Sequence, residues 1–186
     1  MKKIIFVISV ITLCACSGGD DNNSSGGGDD NNSASSNNLL VVDGVEYPLK
    51  SGTLLNYGGQ SGLYNIDLDI YTLGIDVPDC TEGAAVGQGQ NIYFEMWTSE
   101  PDFLDSITYS IDEDESEAVG NITVCDYILD FDSNVEENNW TIISSGNVDV
   151  VKSGNNYTIT WNLTGLQGEA ITGRYSGTLM YCDISN

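Results

Sequence analysis

Histidine is absent from the 186 residues. Its absence excludes Ser-His-Asp triads, histidine-bearing metal sites and imidazole acid–base pairs. Basic residues are also scarce, five against 28 acidic ones, for a formal net charge of −23. Two of the five, Lys2 and Lys3, stand at the start, which leaves Lys50, Lys152 and Arg174 for the rest. Such a surface repels phosphate backbones, so nucleic acid is not an expected partner. Proline occurs only three times, and no apolar run approaches the roughly 20 residues of a membrane-spanning helix. No stretch after residue 38 holds helical spacing over three turns. What remains, 40% hydrophobic and 18% charged, is the composition of a globular protein with room for one domain.

The first residues read as a secretory leader. Lys2 and Lys3 form a positive start, and residues 4–13 form an apolar run interrupted only by Ser9 and Thr12. Leu13-Cys14-Ala15-Cys16 follows, and it resembles the lipobox of bacterial lipoproteins, with Leu13 three before the modified cysteine and Ala15 immediately before it. Cys14 is the rival, but Leu13 directly before it is too large for that place. The resemblance implies cleavage after residue 15 and a diacylglyceryl thioether with an acylated amino terminus on Cys16. Several acyl chains, at about 0.8 kcal/mol per buried methylene, make a stable bilayer anchor.

Residues 17–38 are Ser, Gly, Asp or Asn, apart from Ala34. Gly18-Gly19-Asp20-Asp21-Asn22-Asn23-Ser24 recurs as Gly27-Gly28-Asp29-Asp30-Asn31-Asn32-Ser33. With nothing apolar to bury, residues 16–38 are expected to form a disordered stalk of roughly 25 Å root-mean-square reach. Asp20 and Asp21 also resemble the acidic export signal of surface lipoproteins in Bacteroidota. That implies display on the outer face of the outer membrane rather than the periplasmic one.

Residues 39–186 change to a period of two. Ile66, Leu68 and Ile70 alternate with Asn65, Asp67 and Asp69, and Ile92, Phe94 and Met96 with Tyr93, Glu95 and Trp97. Cys125, Tyr127, Leu129 and Phe131 form another inward set, as do Tyr157, Ile159, Trp161 and Leu163. Asp43-Gly44, Gly58-Gly59, Gly154-Asn155-Asn156 and residues 165–168 supply turn chemistry. The pattern predicts an all-β domain of eight to ten short antiparallel strands, a meander closing as a β-sandwich or β-barrel. Residues 170–179 resemble the closing strand of small Bacteroidota lipoproteins with one β-rich domain. That resemblance implies a lipocalin-like or sandwich fold and brings no catalytic residues.

Cys80, Cys125 and Cys182 remain after processing in an oxidising compartment, so at most one internal bridge forms. Cys125 falls on an inward face, where a thiol packs as a small apolar group. Cys80 and Cys182 lie at strand ends, and theirs is the preferred of the three pairings.

Three further features point toward ligands. Tyr93 and Trp97 share the face of their strand opposite Phe94, as a platform for a sugar or peptide would. Asp130, Asp132 and Asn134 alternate like the opening of an EF-hand calcium loop, though Val135 replaces its glycine and Thr141 its final glutamate. The acidic turn at residues 112–117 offers further oxygen ligands, so weak calcium is the one cofactor weighed, against a solvated acidic coat. Asp105-Ser106-Ile107 resembles the short O-glycosylation motif of Bacteroidota. Gly59-Gln60-Ser61-Gly62-Leu63 lacks the last glycine of a nucleophile elbow, and Gly87-Gln88-Gly89 lacks the third glycine of a dinucleotide fingerprint and precedes a strand rather than a helix. The expectation is a bilayer-anchored, surface-displayed lipoprotein. Its β domain binds a glycan or protein ligand, or serves the envelope, without catalysis. The rival is a carboxylate-dependent hydrolase such as a glycosidase.

Overall fold

The computed structural model describes residues 37–81 and 84–185. The leader, Cys16 and the stalk up to residue 36 lie outside the described residues. Eleven strands and no helix occur among the described residues: β1 (Leu39–Val42), β2 (Val45–Gln60), β3 (Leu63–Thr72), β4 (Ile75–Asp76), β5 (Val86–Thr98), β6 (Thr108–Ile111), β7 (Asn121–Asp132), β8 (Thr141–Ser153), β9 (Asn156–Gly165), β10 (Ala170–Thr178) and β11 (Met180–Asp183).

Two hairpins close on two-residue turns whose central residues both have positive φ. They are Asp43 and Gly44 (+48° and +82°) and Ser61 and Gly62 (+58° and +79°), the twist that best matches right-handed strands. Gly58-Gly59 is not a turn, as its sequence suggests, but a bulge inside β2. There Asn56 Oδ1 accepts a 2.7 Å bond from the Gly58 amide and the register shifts.

The long strands pair in sequence order, β1–β2–β3–β5–β7–β8–β9–β10, and β10 returns to β1 with Leu39 opposite Arg174 and Val42 opposite Ile171. The meander therefore closes on itself. The β7–β8 link is only two pairs long, and β6 enters beside it, antiparallel to β8 and parallel to β7. Near the other seam β11 continues from β10 and lies parallel to β2, with Cys182 opposite Leu55. These two parallel pairings, and the eleven strands, depart from the simple antiparallel count.

The ring is filled by side chains. Leu40, Ile66, Leu68, Ile92, Phe94, Met96, Val148 and Ile159 are all fully buried in one cluster. Phe94 of β5 and Trp161 of β9 meet across it, ring centroids 6.1 Å apart. Gly173 makes room for Trp161, since a Cβ there would lie 2.3 Å from the indole Cζ2. The expected inward set of β7 holds for Cys125 and Tyr127, and for Leu129, which packs partly buried against the core, but not for Phe131. Ile128, opposite Asn91, is buried on the outer face, and past the register shift between Gly89 and Asn91 the alternation slips so that Phe131 joins the outer side.

The first described residues are clamped between β10 and β2. Asn38 Nδ2 donates to the Ser176 carbonyl (3.0 Å), its Oδ1 accepts from the Ser176 amide (2.8 Å), and its carbonyl accepts from the Leu49 amide (2.9 Å).

Candidate functional site

Because Leu54, Leu68, Ile70, Ile92 and Cys125 point inward, their neighbours project from the outer face of β2, β3, β5 and β7. Strand register sets Thr53, Asp69, Tyr93 and Asp126 in one row across those four strands. Tyr71 and Asn91 stand opposite each other in the row alongside. By the period-two argument this face meets water, yet Asp67, Tyr71 and Asn91 are each less than a tenth exposed.

What encloses them comes from three places. The segment after β4 contributes Val77, Asp79, Cys80 and Thr81. β11 contributes Met180 and Cys182, and the β7–β8 connection contributes Trp140. Cys80 and Cys182 form a disulfide, Cα atoms 5.2 Å apart, which ties the first wall to the second. The result is a pocket of about 460 Å³ on the outside of the ring.

Its floor is a polar network. Tyr93 Oη donates to Asp67 Oδ2 (2.8 Å), and Asn91 Nδ2 donates to Asp69 Oδ1 (3.0 Å). The Trp140 ring meets Tyr93 edge-on, centroids 6.4 Å apart. Burial raises the Asp69 carboxyl to about 6, although hydrogen bonds from Asn91 and Tyr71 act the other way. Burial likewise raises Asp126. The Tyr71 and Tyr93 hydroxyls are pushed well above the ordinary tyrosine range, by burial first and by the neighbouring aspartates second. Both phenols are protonated at neutral pH. They act as hydrogen-bond donors.

The raised Asp69 pKa has a stability consequence. The unfolded chain ionises this group near the ordinary 3.8, the folded one at about 6, so folding binds a proton between those values. Its contribution to stability falls as pH rises from about 4 to 6 and stays low above. Asp69→Asn is therefore expected to stabilise the domain by about 2 kcal/mol at pH 7.5, discounted for partial solvent access, and to change little at pH 4. Urea titrations of both chains at the two pH values measure this. A difference of equal size at both would refute it.

The other sequence-predicted residues fall elsewhere. Tyr93 lines the pocket. Trp97 shares its strand face but not the pocket, and its Nε1 donates to Thr123 Oγ1 (3.1 Å). The aromatic partner of Tyr93 is Trp140. Asp132 uses Oδ1 to accept from the backbone amide and side chain of Asn134 (2.8 Å each), and Oδ2 to accept from Gln88 Nε2 (2.6 Å). Asp130 does not join that turn network. Asp112 caps its own loop by accepting from the Asp114 and Ser116 amides and from Asn121 Nδ2. Among the described residues, no three carboxylate or cysteine side chains converge as a metal site would require. Asp105 accepts from the Thr98 hydroxyl and the Ser99 amide and hydroxyl, and exposed Ser106 accepts from the Lys152 amide. Cys125 is free and buried, and burial holds its thiol protonated.

Asp69, Tyr71, Asn91 and Trp140 were not singled out from sequence. The available signal was the run of Asp, Asn and Tyr, rather than Lys or Glu, at outward positions of adjacent strands. Compared with protein-family models, with curated proteins and with solved structures, the chain has no match.

Proposed function

We propose that this protein is a lipid-anchored surface protein whose β domain binds a small ligand, or a protruding part of a larger one, in the outer pocket. The observation that carries this reading is the pocket itself. Its roughly 460 Å³ falls in the range of small-molecule sites, and it combines aromatic walls with a few convergent polar groups. A closed ring filled by its own side chains leaves no interior lumen to serve that purpose. The disulfide holds one wall in place, so a binding geometry would be preorganised rather than assembled on contact. A screen of sugars, peptides and small metabolites by thermal shift, repeated on Trp140→Ala, tests it. The reading expects hits whose stabilisation the variant loses; hits indifferent to Trp140 would refute it.

A second reading, carboxylate-dependent hydrolysis, draws on Asp69, whose raised pKa suits a general acid, with Asp126 two strands away. It predicts turnover of a pocket-bound glycan that Asp69→Asn or Asp126→Asn abolishes. Binding without turnover favours the first reading.

The anchor rests on Leu13, Ala15 and Cys16, which lie outside the described residues. Cys16→Ser is expected to abolish incorporation of a palmitate analogue and to leave the precursor uncleaved. Undiminished labelling would remove the anchor from the proposal.

A further inference from the structure

The polar groups of the outer pocket are unbalanced in a way that specifies a ligand. Four aspartates line it, Asp67, Asp69, Asp79 and Asp126, and no lysine or arginine does. The three cations of the domain are placed elsewhere. Lys50 pairs with Asp76 at 2.6 Å, Lys152 lies 4.7 Å from the Phe103 ring centroid, and Arg174 stands exposed on β10. An acidic cluster alone would be only a solvated surface. Here a second feature stands beside it. Asn91 is 1% exposed, lines the pocket and spends its amide nitrogen on Asp69, while its Oδ1, with less than 1 Å² of exposed surface, has no hydrogen-bond partner. An orphaned buried acceptor costs about 1–3 kcal/mol unless something donates to it. Of the donors nearby, Tyr93 gives its hydroxyl proton to Asp67 and Asn91 gives its amide to Asp69, which leaves the buried Thr53 hydroxyl against four carboxylates. The pocket therefore holds acceptors in surplus and lacks positive charge. Its walls, including Trp140, Phe131 and Tyr57, present aromatic carbon, the surface on which a cation is attracted to ring faces.

We infer that the outer pocket takes an organic cation bearing N–H donors, a primary ammonium or guanidinium on a compact apolar body, with Asp69, Asp126 and the Asn91 carbonyl receiving the charged head and Trp140 covering the apolar part. This rests on the reading of the pocket as a binding site and names its ligand class. Neutral sugars supply donors but no charge, and would leave the carboxylates without a counter-ion. Free carboxylates and phosphates would add repulsion.

Calorimetry on the full chain at about 0.15 M sodium chloride, where surface attraction is screened beyond about 8 Å, provides the test. The probes are phenethylammonium and benzylguanidinium, against their counterparts phenethyl alcohol and 3-phenylpropionate. The cations are expected to bind at least about tenfold more tightly than the alcohol, the measure of one charge-assisted hydrogen bond, and the propionate not at all. Asp69→Asn, a change expected to stabilise the fold, should weaken the cations about tenfold, and Asn91→Leu should weaken them too. Glu113→Gln with Glu115→Gln removes two charges from a remote exposed loop and should change nothing, which separates the pocket from the general acidity of the chain. Equal binding of alcohol and cation, both lost in Trp140→Ala, would overturn the cation while leaving the binding site standing. Cation binding that follows net charge and ignores Asp69, or no binding of any probe, would overturn the inference outright. The broader thermal-shift screen then decides the binding-site reading on its own.

Discussion

Removing the Cys80–Cys182 disulfide is expected to lower unfolding free energy by about 2–5 kcal/mol, the span usual for bridges of this kind. The two cysteines are 102 residues apart, so the bridge closes a loop covering most of the domain. For a loop of about 100 residues, lost denatured-chain entropy alone corresponds to roughly 4.7 kcal/mol. Local packing adds to this, because β11 has only four residues and meets the ring along one edge of β2. Cys182 is buried, so Cys80→Ala with Cys182→Ala avoids burying a hydroxyl. Urea unfolding should show a lower midpoint and, as the freed denatured chain expands, a larger m value. Free Cys125 does not complicate the comparison, since its thiol is buried and held protonated. A loss below about 1 kcal/mol would mean that strain or residual denatured structure offsets the constraint.

Phe94→Ala should cost about as much, roughly 3–5 kcal/mol, for a different reason. Phe94 is fully buried on β5 and meets Trp161 of β9 across the interior. Its ring joins opposite sides of a closed sheet, where neighbours are held by ladders on both flanks and cannot collapse into the gap. Trp161 is further restrained by Gly173 beneath it. A cavity therefore persists, and the cost should sit near the upper end. Phe94→Leu, which keeps most of the volume, should recover more than half. Equal losses for the two variants would argue that the interior relaxes freely. The same urea titrations measure both.

The inner half of this molecule was legible in the sequence, and the outer half was not. Alternation marked Ile66, Leu68, Ile70, Ile92, Phe94 and Met96 as inward, and all are fully buried. Asp43-Gly44 announced its hairpin because only residues tolerant of positive φ fit that turn. Period two, however, says which side chains share a face and nothing about what covers the other one. Asp67, Tyr71 and Asn91 looked solvated because their covering comes from segments distant in sequence: residues 77–81, β11 and Trp140. The parallel pairing of β11 with β2 is non-local for the same reason, and no turn residue encodes it. The slip in β7 depends on a bulge facing Gln90, which shifts every later side chain to the opposite face.

The clamp at Asn38 has a mechanical meaning. Any pull transmitted from the preceding residues enters the domain there and passes directly into β1. That strand carries a four-residue ladder on each flank, to β2 and to β10. Tension along β1 loads both ladders side-on, so their hydrogen bonds must yield together rather than one after another. The load then runs down β2, the strand that also contributes Thr53 and Leu55 to the pocket. The pocket and Asn38 thus lie on neighbouring strands joined by the Asp43-Gly44 hairpin. Drag on an occupant would be shared between that hairpin and β11, which lies along β2 and lines the pocket with Met180 and Cys182.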